Sequence, residues 1–152
     1  MSIPERLDED LRTAMKARDD LRVQVLRMLK SDLRYREIEL GRKMTDDDSI
    51  AVLSTAVKKR RDAVDEYTRA GRDELAANEA AEIVIIQGYL PQQLSEDELI
   101  SLVDKAVTQA DARTVKDIGA VMKILMPEVR GRADGKMVNA AVRARLVGND
   151  SL

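Results

Sequence analysis

Gly88-Tyr89-Leu90-Pro91-Gln92-Gln93-Leu94-Ser95-Glu96-Asp97-Glu98 divides the chain. Pro91 lacks an N–H and its ring clashes with a preceding helical turn, so a helix arriving from the N-terminal side stops here. The residue before a proline avoids the helical region, which makes the segment extended. Ser95 with Glu98 three positions on is a capping box, the signature of a helix start. The stretch predicts a helical domain over 1–90, an extended, protease-sensitive linker at Pro91–Leu94, and a second helical domain over 95–147.

Working back from Pro91, a helix is expected from about Asp73 to Tyr89, starting Ala-rich and ending with Ile83, Ile86 and Leu90. Before it, Thr45 followed by Asp46, Asp47 and Asp48 marks a cap with acids at the positive end of the helix dipole. Ile50, Leu53, Val57, Val64 and Tyr67 give that helix a heptad-like register, and Gly71 ends it. An earlier helix spans about Asp19 to Leu40 with Leu21, Val25, Met28, Leu29 and Leu33. Gly41 stands where a left-handed C-terminal cap belongs. Ser2-Ile3-Pro4-Glu5 is another capping box, with proline close to the first helical position. Leu7, Leu11, Ala14 and Met15 follow at helical spacing.

Working forward from Ser95, Leu99, Leu102, Val103, Ala106 and Val107 form one apolar face. Thr114, with Asp117 three residues on, caps the next helix, whose buried stripe is Ile118, Val121, Met122 and Leu125. Pro127 and Gly131 punctuate it, and Ile124 to Val129 reads as a linker before a basic loop. Asp134 is the expected cap of a last helix carrying Met137, Val138, Ala141, Val142 and Leu146. Period-2 alternation is never sustained, so the fold class is all-α: about four helices, then a three-helix tail.

Composition narrows the chemistry. The 152 residues hold no Cys and no His, which removes disulfides, thiolate nucleophiles, His bases and the usual zinc sites. Three Tyr, no Phe and no Trp leave little for base stacking. No cofactor or metal is expected. No apolar h-region signals export, and Ile83-Val84-Ile85-Ile86, as long as any apolar run here, is far short of a membrane span. A soluble, cytoplasmic protein is expected on these grounds. The net charge of −2 conceals polarity: Arg113 to Val147 holds eight basic residues against three acids, and Met44 to Leu90 six against ten.

That polarity directs attention to Arg130-Gly131-Arg132-Ala133-Asp134-Gly135-Lys136. Glycines let backbone approach a ligand, and a helix N-terminus offers free N–H groups to phosphate. Arg130, Arg132 and Lys136 would add charge, with Lys116, Lys123 and Arg143 flanking. A carboxylate at Asp134 would occupy some of those N–H groups, and a tight helix–helix turn explains the same residues. Lys58-Lys59-Arg60-Arg61 spreads around a helix and makes no single basic face. Arg60 falls on the apolar register, so it either snorkels or pairs with an acid such as Asp65 or Glu66 on a neighbouring element. Asp46 to Asp48 are explained by capping, and no nucleophile–base set is visible, so independent catalysis is not expected.

Gly119-Ala120-Val121-Met122-Lys123 and the loop through Asn139 resemble the C-terminal tail domain of the B subunit of the glutamine-dependent aspartyl/glutamyl-tRNA amidotransferase. Tyr89-Leu90-Pro91-Gln92-Gln93-Leu94 is similar to the junction of its small stand-alone relatives, the YqeY family, and that resemblance runs nearly full length. It implies a bacterial accessory protein linked to tRNA-dependent amidotransfer, under the family label of a carbon–nitrogen ligase with glutamine as amide donor. It further implies tRNA or structured RNA held on the tail, with Arg132 and Lys136 at the matching basic positions, and a protein partner in translation. The competing reading is a helical protein-interaction adaptor with no RNA role.

Overall fold

The computed structural model describes residues 1–150. Among them the protein is all-α, with seven α-helices and no strand. These are α1 (Ile3–Ala17), α2 (Asp20–Leu40), α3 (Asp46–Arg69), α4 (Asp73–Gln87), α5 (Glu96–Ala110), α6 (Ile118–Val129) and α7 (Gly135–Asp150). A 3₁₀ turn, Val115–Asp117, leads into α6. The chain divides into two compact units, Met1–Leu90 and the residues from Pro91 onward.

In the first unit, caps fix where the helices begin. The Ser2 hydroxyl accepts from the Glu5 N–H (3.3 Å) and the Glu5 carboxylate accepts from the Ser2 N–H (3.1 Å). Thr45 and Asp48 repeat the exchange at α3 (3.1 and 2.8 Å). Gly41 adopts φ +65° at the end of α2, the left-handed conformation expected of it. The apolar stripes of α1 to α4 then converge on Leu7, Val25, Leu26, Leu29, Leu53 and Ile86, all fully buried. Each such side chain contributes roughly 1.5–3 kcal/mol by leaving water.

α4 ends at Gln87, two residues earlier than expected. Gly88, Tyr89 and Leu90 tighten into a final turn whose N–H groups donate to Ile85, Ile86 and Gln87 carbonyls. That turn drives the Tyr89 ring into the core, where its hydroxyl donates to Asp10 Oδ2 (2.5 Å). Burial, then the Asp10 carboxylate, raises the Tyr89 phenol above its ordinary pKa. Arg6 donates to the Gly88 carbonyl (3.0 Å) and stacks its guanidinium on the same ring at 4.9 Å.

The second unit has its own core of Leu99, Val103, Val121, Leu125, Val129, Val138, Val142 and Leu146. Ser95 and Glu98 exchange cap hydrogen bonds at α5 (3.2 and 3.3 Å). Thr114 caps the 3₁₀ turn instead of an α-helical first turn: its hydroxyl accepts from the Lys116 N–H (3.3 Å). The Asp117 carboxylate accepts from the Arg113 and Thr114 N–H groups, which hold its pKa below the ordinary value. Ile124 to Val129 is no linker, since α6 runs through Pro127 to Val129. Pro127 sits inside α6, where it forfeits its own N–H bond, and Arg130 N–H still reaches the Met126 carbonyl (3.0 Å).

Pro91–Leu94 is likewise not a free linker. Leu94 N–H donates to the Arg132 carbonyl (2.8 Å), Gln93 Nε2 to the Gly131 carbonyl (2.8 Å), and Arg132 Nε to the Gln92 carbonyl (3.0 Å). The segment is a strap laid along the loop before α7.

Candidate functional site

The strap decides what the basic loop does. Arg132 lays its guanidinium on the Gln92 carbonyl and, at 3.4 Å, the Glu128 carbonyl. Gly131 adopts φ +73°, so the reversal between α6 and α7 needs a residue without Cβ there. Gly135 has no such need: it is the first residue of α7, and a Cβ added to it would meet nothing within 4 Å. Asp134 caps α7, its carboxylate accepting from the Lys136 N–H (3.2 Å) and its carbonyl from Val138 N–H (3.0 Å). Arg130 and Lys136 are exposed on either side of this loop. Lys116 lies in the 3₁₀ turn and Lys123 on α6, both exposed. Arg143, on α7, donates to Asn139 Oδ1 of its own helix (2.8 Å). The six basic residues thus fall on a loop, a turn and two helices, and Arg132 is a structural strut of the turn.

In the first unit, Arg60 is 8% exposed and pairs with an acid, as one sequence reading had it, but with Glu82 of α4 (Nε to Oε2, 3.3 Å) and not Asp65 or Glu66. Arg60 also donates to the Ala56 carbonyl (2.9 Å) and reaches Met28 Sδ (3.3 Å). Both partners are buried and several donors are satisfied, which is the condition under which a buried pair holds. Asp48 is tied to Arg42 (2.6 Å) and to the Thr45 cap, and those contacts hold its carboxyl far below the ordinary range.

An apolar opening lies elsewhere, between α5 and α7. It is a groove of about 570 Å³ floored by Leu99, Val103 and Ala141 and walled by Ile100, Met137, Ala140 and Ala144. Ile100 is 47% exposed and Met137 55%, large apolar side chains left in water. Arg145 Nε to Asp104 Oδ1 (2.9 Å) joins the two walls at one end, and Glu96 lies at the lining as well. The shape and lining suit an apolar helical face laid between two helices.

Sequence reasoning placed Met137 in the core stripe of the last helix; it is exposed. At about 100° per residue, Val138, Val142 and Leu146 form one stripe of α7. Met137, Ala140, Ala141 and Ala144 form a second, off the first. The signal for it was present: an apolar residue that does not fit the first stripe, plus alanines three and four apart. Ile100 similarly widens the α5 stripe beyond what one core face uses.

Residues 4–146 match a family model described as Yqey-like protein. Curated relatives include a Lachancea thermotolerans protein, 35% identical over 68% of this chain and 57% of its own length. A Saccharomyces cerevisiae protein is 31% identical over 86% of this chain and 69% of its own length. Both are named "Altered inheritance of mitochondria protein 41, mitochondrial". The chain therefore spans little more than half of the first relative.

These relatives correct three expectations. The accessory role in tRNA-dependent amidotransfer, with tRNA or structured RNA on the tail, gives way: the relatives are named for the inheritance of mitochondria and not for amidotransfer or RNA. The bacterial attribution gives way to yeast relatives. The plain cytoplasmic placement conflicts with relatives named as mitochondrial. It rested on a missing apolar h-region, a criterion for export alone, since mitochondrial targeting segments are amphipathic and Arg-rich.

Proposed function

The chain belongs to the YqeY-like protein family, and from the groove on its second unit we propose that it is a helical protein-docking module. The observation that carries this is the pairing of half-exposed Ile100 and Met137 across an alanine-lined groove. Large apolar side chains flanking small ones make a seat for a helix, with the large ones as anchors and the small ones as clearance. A partner bound this way is an amphipathic helix that presents an apolar stripe at i, i+3, i+4 and i+7. The mitochondrial inheritance in the relatives' name is a cellular outcome that a docking protein can serve without chemistry of its own.

We further propose that the two units are separate domains, four helices in the first and three in the second. Separate apolar clusters support this reading. In such a design the second domain carries the docking groove and the first serves a partner or scaffold role of its own.

The test is site-specific. A photo-reactive residue placed at Ile100 or Met137 should form adducts in cells, and the adduct peptide, identified by mass spectrometry, should be an amphipathic helical segment. The same probe at Val84, which is 70% exposed in the first unit, is the control. Equal adducts at Val84, or none at Ile100 and Met137, would overturn the docking reading.

A further inference from the structure

We propose that Met28 is a reversible oxidation site of the first unit, where a hydroperoxide transfers one oxygen atom to the sulfur and Arg60 holds the sulfoxide that results. The chain has seven methionines and no cysteine, so its sulfur chemistry falls to thioethers. Met1, Met15, Met28 and Met137 are the exposed ones. Met28 differs from the other three in its partner. Arg60 is buried, with Nε on Glu82 and Nη1 on the Ala56 carbonyl, and its Nη2 donates to Met28 Sδ at 3.3 Å. The sulfur of Met15 has Arg27 Nη2 at 4.0 Å, and Arg27 is exposed to water. A thioether is a weak acceptor. One arm of a buried cation therefore ends on a partner poorer than its charge calls for. A sulfoxide oxygen carries the negative end of the S–O dipole and accepts strongly, so oxidation supplies what Nη2 lacks.

The step balances within its two reactants. The sulfur has two lone pairs, and Nη2 engages one. The other attacks the outer oxygen of the peroxide, and an S–O bond forms as the O–O bond breaks. The departing oxygen takes the proton from the transferred one and leaves as an alcohol, or as water where the oxidant is hydrogen peroxide. Sulfur loses two electrons and the peroxide gains them. Access comes from an opening of about 530 Å³ between α2 and α3, lined by Met28, Asp32, Thr55, Lys59 and Arg60. The rotatable bonds of the side chain then let the new oxygen swing onto Nη2. Glu82 keeps its bond to Nε throughout, since that arm takes no part. With one lone pair engaged, the two sulfoxide epimers do not form equally. Releasing that lone pair costs about one weak hydrogen bond, so one epimer should stand in roughly fivefold excess.

The probe is dilute hydrogen peroxide on the full chain, read peptide by peptide by mass spectrometry. Met28 should be converted with the other exposed methionines, ahead of half-buried Met44, Met122 and Met126. The two classes of methionine sulfoxide reductase each act on one epimer. Applied to the digested peptides, one class should restore roughly fivefold more Met28 than the other, and Met15 should need both in equal measure. The excess at Met28 should vanish when the chain is oxidised unfolded in urea. It should vanish too in Arg60→Leu with Glu82→Leu, which removes the donor and its buried partner together. Stability gives a separate readout in a chain carrying Met15→Leu and Met137→Leu. There, oxidation of Met28 should leave the melting temperature unchanged or raised. With Arg60→Leu and Glu82→Leu added, the same oxidation should lower it by roughly 4–8 °C, because the sulfoxide then has no donor. Four results overturn the proposal: Met28 still a thioether once Met15 and Met137 are converted, equal epimers at Met28, an excess that survives unfolding or the loss of Arg60, or a melting temperature that falls on Met28 oxidation with Arg60 in place.

Discussion

Arg60 shows what one side chain can decide in this fold. Its position on the α3 register was legible from the spacing of Leu53, Val57, Val64 and Tyr67, and so was its need for an acid. Which acid was not legible, because Glu82 lies 22 residues away on α4 and only the packing of α4 on α3 brings it near. Arg60→Ala leaves Glu82 buried without its partner and should destabilise by about 3–5 kcal/mol in urea denaturation. Replacing both, as Arg60→Met with Glu82→Leu, should recover most of that loss. A double variant as unstable as the single one would show that the pair does not stabilise as a unit. Glu79, one turn from Glu82, works against stability. Burial first, then the charge of Glu82, raises its pKa above the ordinary 4.5. The native state therefore prefers Glu79 protonated, and this preference turns into lost stability as pH rises through the raised value. Glu79→Gln should stabilise at pH 7 by about 0.2–0.5 kcal/mol, the size of a relieved like-charge helix pair. Thermal melts at pH 7 and pH 3.5 check it: the gain should close at the lower pH, where both states hold the proton.

At the scale of elements, starts were more legible than stops. Ser2, Thr45 and Ser95 announced α1, α3 and α5 because a cap is local chemistry, two side chains and two N–H groups within four residues. Stops depend on what the chain packs against next. Pro127 read as punctuation, yet α6 passes through it to Val129, and the Arg130 N–H still closes on the Met126 carbonyl. Leu90 read as helical, yet the turn at Gly88 comes first because the Tyr89 ring and the Arg6 guanidinium hold it. The docking face was the least legible element. A helix that buries one stripe and exposes another gives a blurred period, and α7 does both. The glycines around the α6–α7 reversal separate geometry from sequence habit. Gly131→Ala must take a Cβ into the left-handed region and should destabilise by about 1–2 kcal/mol. Gly135→Ala enters an open helical position and should stabilise by about 0.4–1 kcal/mol. Equal effects of the two in chemical denaturation would show that the loop is set by something other than the Gly131 backbone.

For the whole molecule, a helix stop at Pro91 and a helix start at Ser95 stand side by side, and the chain falls into two compact units, Met1–Leu90 and the residues from Pro91 onward. What the sequence hid was the allegiance of Pro91–Leu94. One backbone amide, the Gln93 side-chain amide and the Arg132 guanidinium each donate to a backbone carbonyl some 40 residues away in sequence, and no residue type announces such a strap. The strap shapes the final prediction. Under the two-domain proposal, a fragment of residues 91–152 should fold cooperatively by itself. A fragment of residues 95–152 begins after the strap. It loses the Leu94 N–H on the Arg132 carbonyl, the Gln93 amide on the Gly131 carbonyl, and the Gln92 carbonyl that receives Arg132 Nε. At about 0.5–1.5 kcal/mol per hydrogen bond, the shorter fragment should be less stable by roughly 2–4 kcal/mol. A three-helix piece of this size has few kcal/mol to lose, so it should populate the unfolded state measurably. The same bonds should shield Gln92–Leu94 from thermolysin in the full chain, so early cuts should fall at the exposed Ala70–Arg72 loop instead. Equal melting temperatures for the two fragments, together with early cleavage at Gln92–Leu94, would return this segment to the status of a simple linker.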